Sequence, residues 1–117
     1  MALEAIVFPI APGRTEDWRR FVGELNGSRF EEFKASRQGA GIHERTFLQS
    51  TPMGDLVIVT VEGDDPMASF AQLSQMEDEF SKWFVAQASD VHGIDMSGPA
   101  GPMPELVADS ERAVVPA

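Results

Sequence analysis

The sequence predicts an α+β domain in which helical segments cover one face of an antiparallel sheet. A near-continuous apolar run, LVIVTV at residues 56–61, has the composition of a central strand. Apolar residues at helical spacing follow a strand-like segment at two separate places in the chain. A length of 117 residues is enough for one such domain, so a single core is expected.

The first predicted strand runs from Leu3 to Ile10, and Pro9 marks its end because proline has no N–H group for the sheet. A turn at residues 11–13 leads into a helix with apolar residues at positions i, i+3, i+4 and i+7, namely Trp18, Phe21, Val22 and Leu25. The Asn26-Gly27 pair should interrupt this helix, which resumes and continues to about Arg37. The first helical region is therefore predicted to be long but broken.

The second and third predicted strands form a hairpin. His43 to Ser50 has two mixed faces, which is typical of a strand near an edge or beside something polar. A turn at residues 51–54 joins it to the central strand, residues 56–61, which we expect to be covered on both faces. Asp65 is then expected to cap a helix whose first residue is Pro66.

The second helical region is also predicted to be broken, with one piece near Met67 to Leu73 and another that starts near Ser74 and ends before Gly93. Glu105 to Ser110 is expected to form a final strand. The resulting order, β-α-β-β-α-β, predicts a ferredoxin-like fold with a four-stranded antiparallel sheet and two broken helices on one face. Residues 1–110 should form this single domain, and residues 111–117 a flexible tail.

Composition excludes several classes of function. The net charge is −10, from 19 acidic and 9 scattered basic residues, which argues against binding to nucleic acid or to an anionic membrane surface. Without cysteine, the chain can form neither disulfides nor thiolate metal sites. The start, MALEAIVFPIAPG, lacks the basic residues of a signal peptide, and no apolar run approaches the roughly 20 residues of a membrane span. A cytoplasmic protein is expected.

Three segments resemble a known group of proteins: FPIAPGRTEDW at residues 8–18, TPMGDLVIVTVEGDDP at residues 51–66 and FSKWFVAQASDVHGID at residues 80–95. Together with the element order, they are similar to small bacterial proteins of the dimeric α/β-barrel superfamily. The resemblance covers roughly residues 4–110 and is to an uncharacterised group related in fold to the antibiotic-biosynthesis monooxygenases. It implies a cavity between sheet and helices or inside the barrel. The Tyr and Asn residues often discussed for the monooxygenases are almost missing here, since the chain has no Tyr and one Asn.

The candidate catalytic residues are His43, Glu62 and His92. The two histidines are the only ones in the chain and lie at element boundaries, where either could move a proton at the mouth of a cavity. The alternative for His92 is structural, because a helix dipole favours an imidazolium near the C-terminus. Glu62 shares a strand face with Ile58 and could point into a site, or it could end the strand in solvent.

Five residues are candidates for binding a ligand: Trp18, Arg45, Phe47, Ile58 and Trp83. The two tryptophans lie on apolar helix faces, where they form either core or the wall of a pocket between helices and sheet. Arg45 alternates with His43 and Phe47 along one strand face. It could bind an anionic group, or pair with an acidic residue across a dimer.

No cofactor and no metal site are predicted, because histidine pairs at ligand spacing are missing; haem or a non-haem metal bound through His43 or His92 is the alternative. Apolar residues on the sheet face away from the helices predict a homodimer by sheet-to-sheet packing. The first functional hypothesis is a cofactor-independent, monooxygenase-like or isomerase-like enzyme acting on a small organic molecule. The alternative is a non-catalytic small-molecule-binding or stress-response protein that uses the same cavity.

Overall fold

Seven helices and strands make up the part of the chain that the computed structural model describes, residues 2–98 and 103–115. In chain order they are β1 (Ala2–Pro9), α1 (Thr15–Asn26), α2 (Phe30–Gly39), β2 (Ile42–Thr51), β3 (Gly54–Gly63), α3 (Pro66–Leu73) and α4 (Glu79–His92). The fold is α+β with the order β-α-α-β-β-α-α. No helix within the described ranges is long and apolar enough to cross a membrane.

The sheet has three strands in the order β1-β3-β2, and both neighbours of β3 run antiparallel to it. Gly63 ends β3 opposite both Ala2 and Ile42. A Cβ atom at Gly63 would lie 2.8 Å from the carbonyl oxygen of Gly41, closer than van der Waals contact allows. The close approach of the two chain segments therefore requires glycine at this position.

The helices cover one face of the sheet and enclose the core with it. On this face β3 contributes Val57, Val59 and Val61, which alternate with half-buried residues as expected for a strand. Phe21 of α1 packs edge-on against Phe84 of α4, with ring centroids 5.2 Å apart. Apolar burial between these two layers is the main stabilising contribution to the fold.

The opposite face of the sheet is open in the described part of the chain. Leu3 and Val7 of β1 are 59% and 45% exposed, and Phe47 of β2 is 51% exposed. Ile58 and Leu56 in the central strand are only half-buried. The prediction that LVIVTV is covered on both faces therefore holds within this chain for the helix side alone.

The predicted four-stranded, ferredoxin-like sheet with two broken helices is wrong. The sheet has three strands, and the expected final strand, Glu105 to Ser110, is irregular chain without strand pairing. Leu106 and Val107 in this segment are 62% and 74% exposed. Only these two residues of the segment favour a strand, so it gains too little buried apolar surface to offset the entropy of ordering.

Each predicted broken helix is a pair of separate helices. Asn26 ends α1 as expected, and α2 begins at Phe30. The prediction for α3 is confirmed: Asp65 Oδ1 accepts a hydrogen bond from the Ala68 N–H at 3.3 Å, and Pro66 is the first helical residue. The helix α4 begins later than predicted because Asp78 caps it, accepting from the Ser81 N–H at 3.1 Å.

Candidate functional site

A cavity of about 280 Å³ lies between the helices and the β1 side of the sheet. The β1 residues that line it are Ile6, Val7 and Phe8. Near the surface it is bordered by Ile94, Asp95, Met96, Gly98 and Met103. The helices α3 and α4 supply a mostly apolar wall: Met67, Phe70, Leu73, Phe84, Val85 and Ala88. Methionine is flexible and polarizable, so Met67, Met96 and Met103 can adapt to a ligand's shape.

Arg37 at the end of α2 supplies the one cationic side chain among the described residues of the cavity wall. Its Nε donates to Glu44 Oε1 on β2 at 2.8 Å, and its Nη1 donates to Ser36 Oγ at 2.9 Å. The side chains of Arg37 and Glu44 are only 8% and 4% exposed. Removal of two charges from water is costly, so this ion pair needs its close geometry to be tolerated.

Two aromatic rings support the Arg37 guanidinium. Its central carbon lies 4.4 Å from the ring centroid of Phe84 and 4.9 Å from that of Phe33. The two rings are nearly parallel, with an interplanar angle of 13°. Cation–π attraction favours this arrangement and holds the guanidinium in one orientation beside the cavity.

The other polar groups of the cavity wall are already engaged within the chain. Hydrogen bonds from the Ser81 hydroxyl and N–H group lower the pKa of the Asp78 carboxyl. At the cavity border, Asp95 Oδ1 accepts from the Ser97 hydroxyl at 2.6 Å and from its N–H at 3.0 Å. These bonds lower the pKa of Asp95, which keeps its carboxylate ionised at neutral pH.

Five of the residues singled out from the sequence meet on the open face of the sheet. His43 and Glu62 are opposite each other across β2 and β3, and Phe47 is opposite Ile58. Arg45 Nη1 donates to Glu62 Oε1 at 2.5 Å, and the two side chains are 49% and 35% exposed. Arg45 therefore pairs with an acid of its own chain. None of these five lines the cavity within the described residues.

His92 lies on the helix side, away from His43 and Glu62. It is 7% exposed, and its ring centroid is 5.2 Å from that of Phe8. Burial lowers the pKa of His92, although a hydrogen bond from Nδ1 to the Pro9 carbonyl at 2.8 Å acts in the opposite direction. Desolvation outweighs this hydrogen bond, so the neutral ring, and not the expected imidazolium, ties the end of α4 to the end of β1.

The two tryptophans belong to the helix layer. Trp18 is 6% exposed and forms part of the core. Trp83 is half-buried, and the Arg29 guanidinium carbon lies 4.3 Å from its ring centroid. Within the described residues, neither tryptophan lines the cavity.

No protein family, curated protein or solved structure matches the chain. Within residues 2–98 and 103–115, no three His, Asp or Glu residues are grouped so that they could hold a metal ion. The cavity and the open face of the sheet are therefore the two candidate functional sites.

The Arg37–Glu44 pair is the feature that sequence reasoning missed. Phe30, Phe33 and Arg37 share one helix face at i, i+3 and i+7, which places a cation on an apolar stripe. Glu44 likewise shares strand parity with the buried Ile42. A charge on each of two apolar faces joined by a short connection is a signal that predicts a buried ion pair.

Proposed function

We propose that this protein binds a compact, largely apolar small molecule in the cavity between its helices and sheet. The observation that carries the proposal is the volume of about 280 Å³ behind a mostly apolar wall. A cavity of roughly 150 Å³ suffices for benzene, and ligand pockets usually start near about 300 Å³. A single substituted ring or a short branched chain is the size of ligand that fits.

Binding is favoured over chemistry at this site because the cavity wall offers few groups that could exchange a proton. Arg37 is held by Glu44, and Ser81 is engaged with Asp78. His92 is not among the described residues of the wall, and its Nδ1 donates to the Pro9 carbonyl. One of the two hypotheses from the sequence is a non-catalytic binding protein. Such a protein needs an apolar wall of this kind but no group that exchanges protons.

Native mass spectrometry of freshly purified protein tests the proposal directly. We expect a co-purified small molecule, or a gain in the urea unfolding midpoint when ethylbenzene is added. Val85→Phe should fill part of the cavity and remove this gain. Val22→Phe is the matched control, because Val22 is a half-buried valine of α1 outside the described cavity wall. Equal responses in the two variants would contradict binding in the cavity.

The second candidate is an enzyme of the monooxygenase-like or isomerase-like kind on the open face of the sheet. It is favoured by the position of His43 directly opposite Glu62, beside the apolar Phe47 and Ile58. An imidazole and a carboxylate at such positions can move protons to and from a bound molecule. On an open sheet this site needs a cover that excludes water.

A second copy of the chain is the cover that we propose, in a homodimer formed by sheet-to-sheet packing. Three strands of 8 to 10 residues give each face about 400 Å² of projected area. Two such faces bury about 800 Å² or slightly more, somewhat below the area of stable interfaces, so a dimer that dissociates on dilution is expected. Sedimentation velocity checks this: Ile58→Asp should give monomer, whereas Asp64→Ala should not. Only monomer at every concentration of the unmodified chain would refute the dimer.

A further inference from the structure

We propose that the cavity selects uncharged ligands with a hydrogen-bond acceptor, such as an aromatic ketone, and discriminates against carboxylates of the same shape. The proposal rests on the cavity being the ligand site. It concerns which chemical class enters, and Arg37 is the residue that sets the preference. An arginine in an otherwise apolar pocket usually indicates an anionic ligand, but here Glu44 already neutralises the charge of Arg37.

Arg37 has hydrogen-bonding capacity left after its contacts within the chain. Nε donates to Glu44 and Nη1 to Ser36, while Nη2 has no partner among the described residues. The described residues include no fully buried side-chain nitrogen without a partner, so Nη2 retains accessible surface. Since the Arg37 side chain is 92% buried and lines the cavity, that surface offers a ligand a donor N–H group.

The charges around the cavity disfavour an anion. Glu44 is bound to Arg37 and cancels its charge, and the ionised Asp95 lies at the border. A carboxylate in the cavity would thus meet a net negative environment and would lose its hydration as well. A carbonyl oxygen avoids both costs and still accepts a charge-assisted hydrogen bond.

Ser81 is, with Arg37, a buried polar residue of the described cavity wall, and its hydroxyl is a second possible donor. The Ser81 N–H donates to Asp78 Oδ2 at 3.1 Å, and this neighbouring carboxylate, whose pKa the Ser81 hydroxyl lowers, competes with a ligand for the hydroxyl proton. The preference for an acceptor should therefore depend on Arg37 and not on Ser81. Substitution of each residue in turn therefore shows which of the two supplies the donor.

Calorimetric titration of the full chain with three probes of similar shape tests the proposal: ethylbenzene, acetophenone and benzoate. Acetophenone should bind about tenfold more tightly than ethylbenzene, the size expected for one hydrogen bond to a charged group. Benzoate should bind more weakly than either. In the double variant Arg37→Met with Glu44→Leu, which leaves no unpaired buried charge, acetophenone and ethylbenzene should bind equally. Ser81→Ala should keep the preference of the unmodified chain.

The outcomes distinguish this inference from the proposed function. If no probe binds, ethylbenzene included, the apolar binding site itself is refuted. If ethylbenzene and acetophenone bind equally to the unmodified chain, the site stands and the role of Arg37 is overturned. Tightest binding of benzoate would overturn the choice of ligand class, and loss of the preference in Ser81→Ala would move the donor from Arg37 to Ser81.

Discussion

Substitution of Glu44 by glutamine should destabilise the protein more than any other single charge removal on the sheet. Glu44 is the counter-ion of Arg37, and the two side chains are 4% and 8% exposed. Glutamine keeps the shape and a hydrogen-bond acceptor but removes the negative charge. The guanidinium is then left as an uncompensated buried cation, with the rings of Phe33 and Phe84 as its remaining support.

The expected loss is about 3–5 kcal/mol of unfolding free energy, the usual cost of breaking a buried ion pair by removing one partner. Domains of this size have about 5–15 kcal/mol in total, so the loss is a large fraction. With a urea dependence near 2 kcal/mol per molar, the midpoint should fall by about 2 M. The same change at Glu62, whose pair with Arg45 is 35% and 49% exposed, should cost at most about 1 kcal/mol.

Urea unfolding followed by tryptophan fluorescence measures both losses under the same conditions. The double variant Arg37→Met with Glu44→Leu should recover most of the stability that Glu44→Gln loses, because it buries no charge. Equal small losses for Glu44→Gln and Glu62→Gln would refute the argument that burial makes the Arg37 pair special. A double variant as unstable as the single would show that packing, and not the unpaired charge, explains the loss.

Three further predictions concern the fold. Gly63→Ala should lower the free energy of unfolding by about 1–3 kcal/mol, because its Cβ would lie 2.8 Å from a backbone oxygen. The control is Gly23→Ala in α1, whose Cβ would meet no atom within 4 Å and which should raise the free energy of unfolding by about 0.5–1 kcal/mol. Urea midpoints in which Gly63→Ala is neutral would contradict the close approach. Burial lowers the pKa of His92 below 6.5, so its contribution is complete above about pH 6.5 and is lost as pH falls through the folded value. His92→Asn should flatten the stability profile on the acid side of about pH 6.5; a profile that keeps its slope in His92→Asn would show another group to be responsible. Asp78→Ala should cost about 1 kcal/mol by thermal unfolding through loss of the α4 cap, and an unchanged Tm would show that the cap contributes nothing.

The hairpin of β2 and β3 could be predicted from the sequence because several local signals agree there. The LVIVTV run lies within β3, the Thr51–Gly54 turn is in place, and Asp65 caps the next helix. Period, turn chemistry and capping are short-range properties, so they can be recognised without knowing the fold. The same agreement explains why five candidate residues do share one sheet face.

The fourth strand failed because its only support was the expected topology. The sequence ELVADS has two residues with strand preference and four that favour turns or helices, so no local signal supported the prediction. The cavity could not be predicted either, since it depends on how α3 and α4 lie over β1. Relative placement of helices is set by contacts that are distant in sequence, and these are invisible to periodicity.

The sheet separates the two candidate sites, and this makes them independently testable. Neighbouring strand positions point to opposite faces, so Ile6 faces the cavity while Ile58 faces the open side, although its partner Val7, on the edge strand β1, also borders the cavity. A ligand in the cavity cannot reach His43 or Glu62 through the intervening strands. Val85→Phe should therefore abolish binding in the cavity without changing dimer formation, and Ile58→Asp should do the reverse. A variant on either face that removes both properties would show that the two sites are coupled through the sheet.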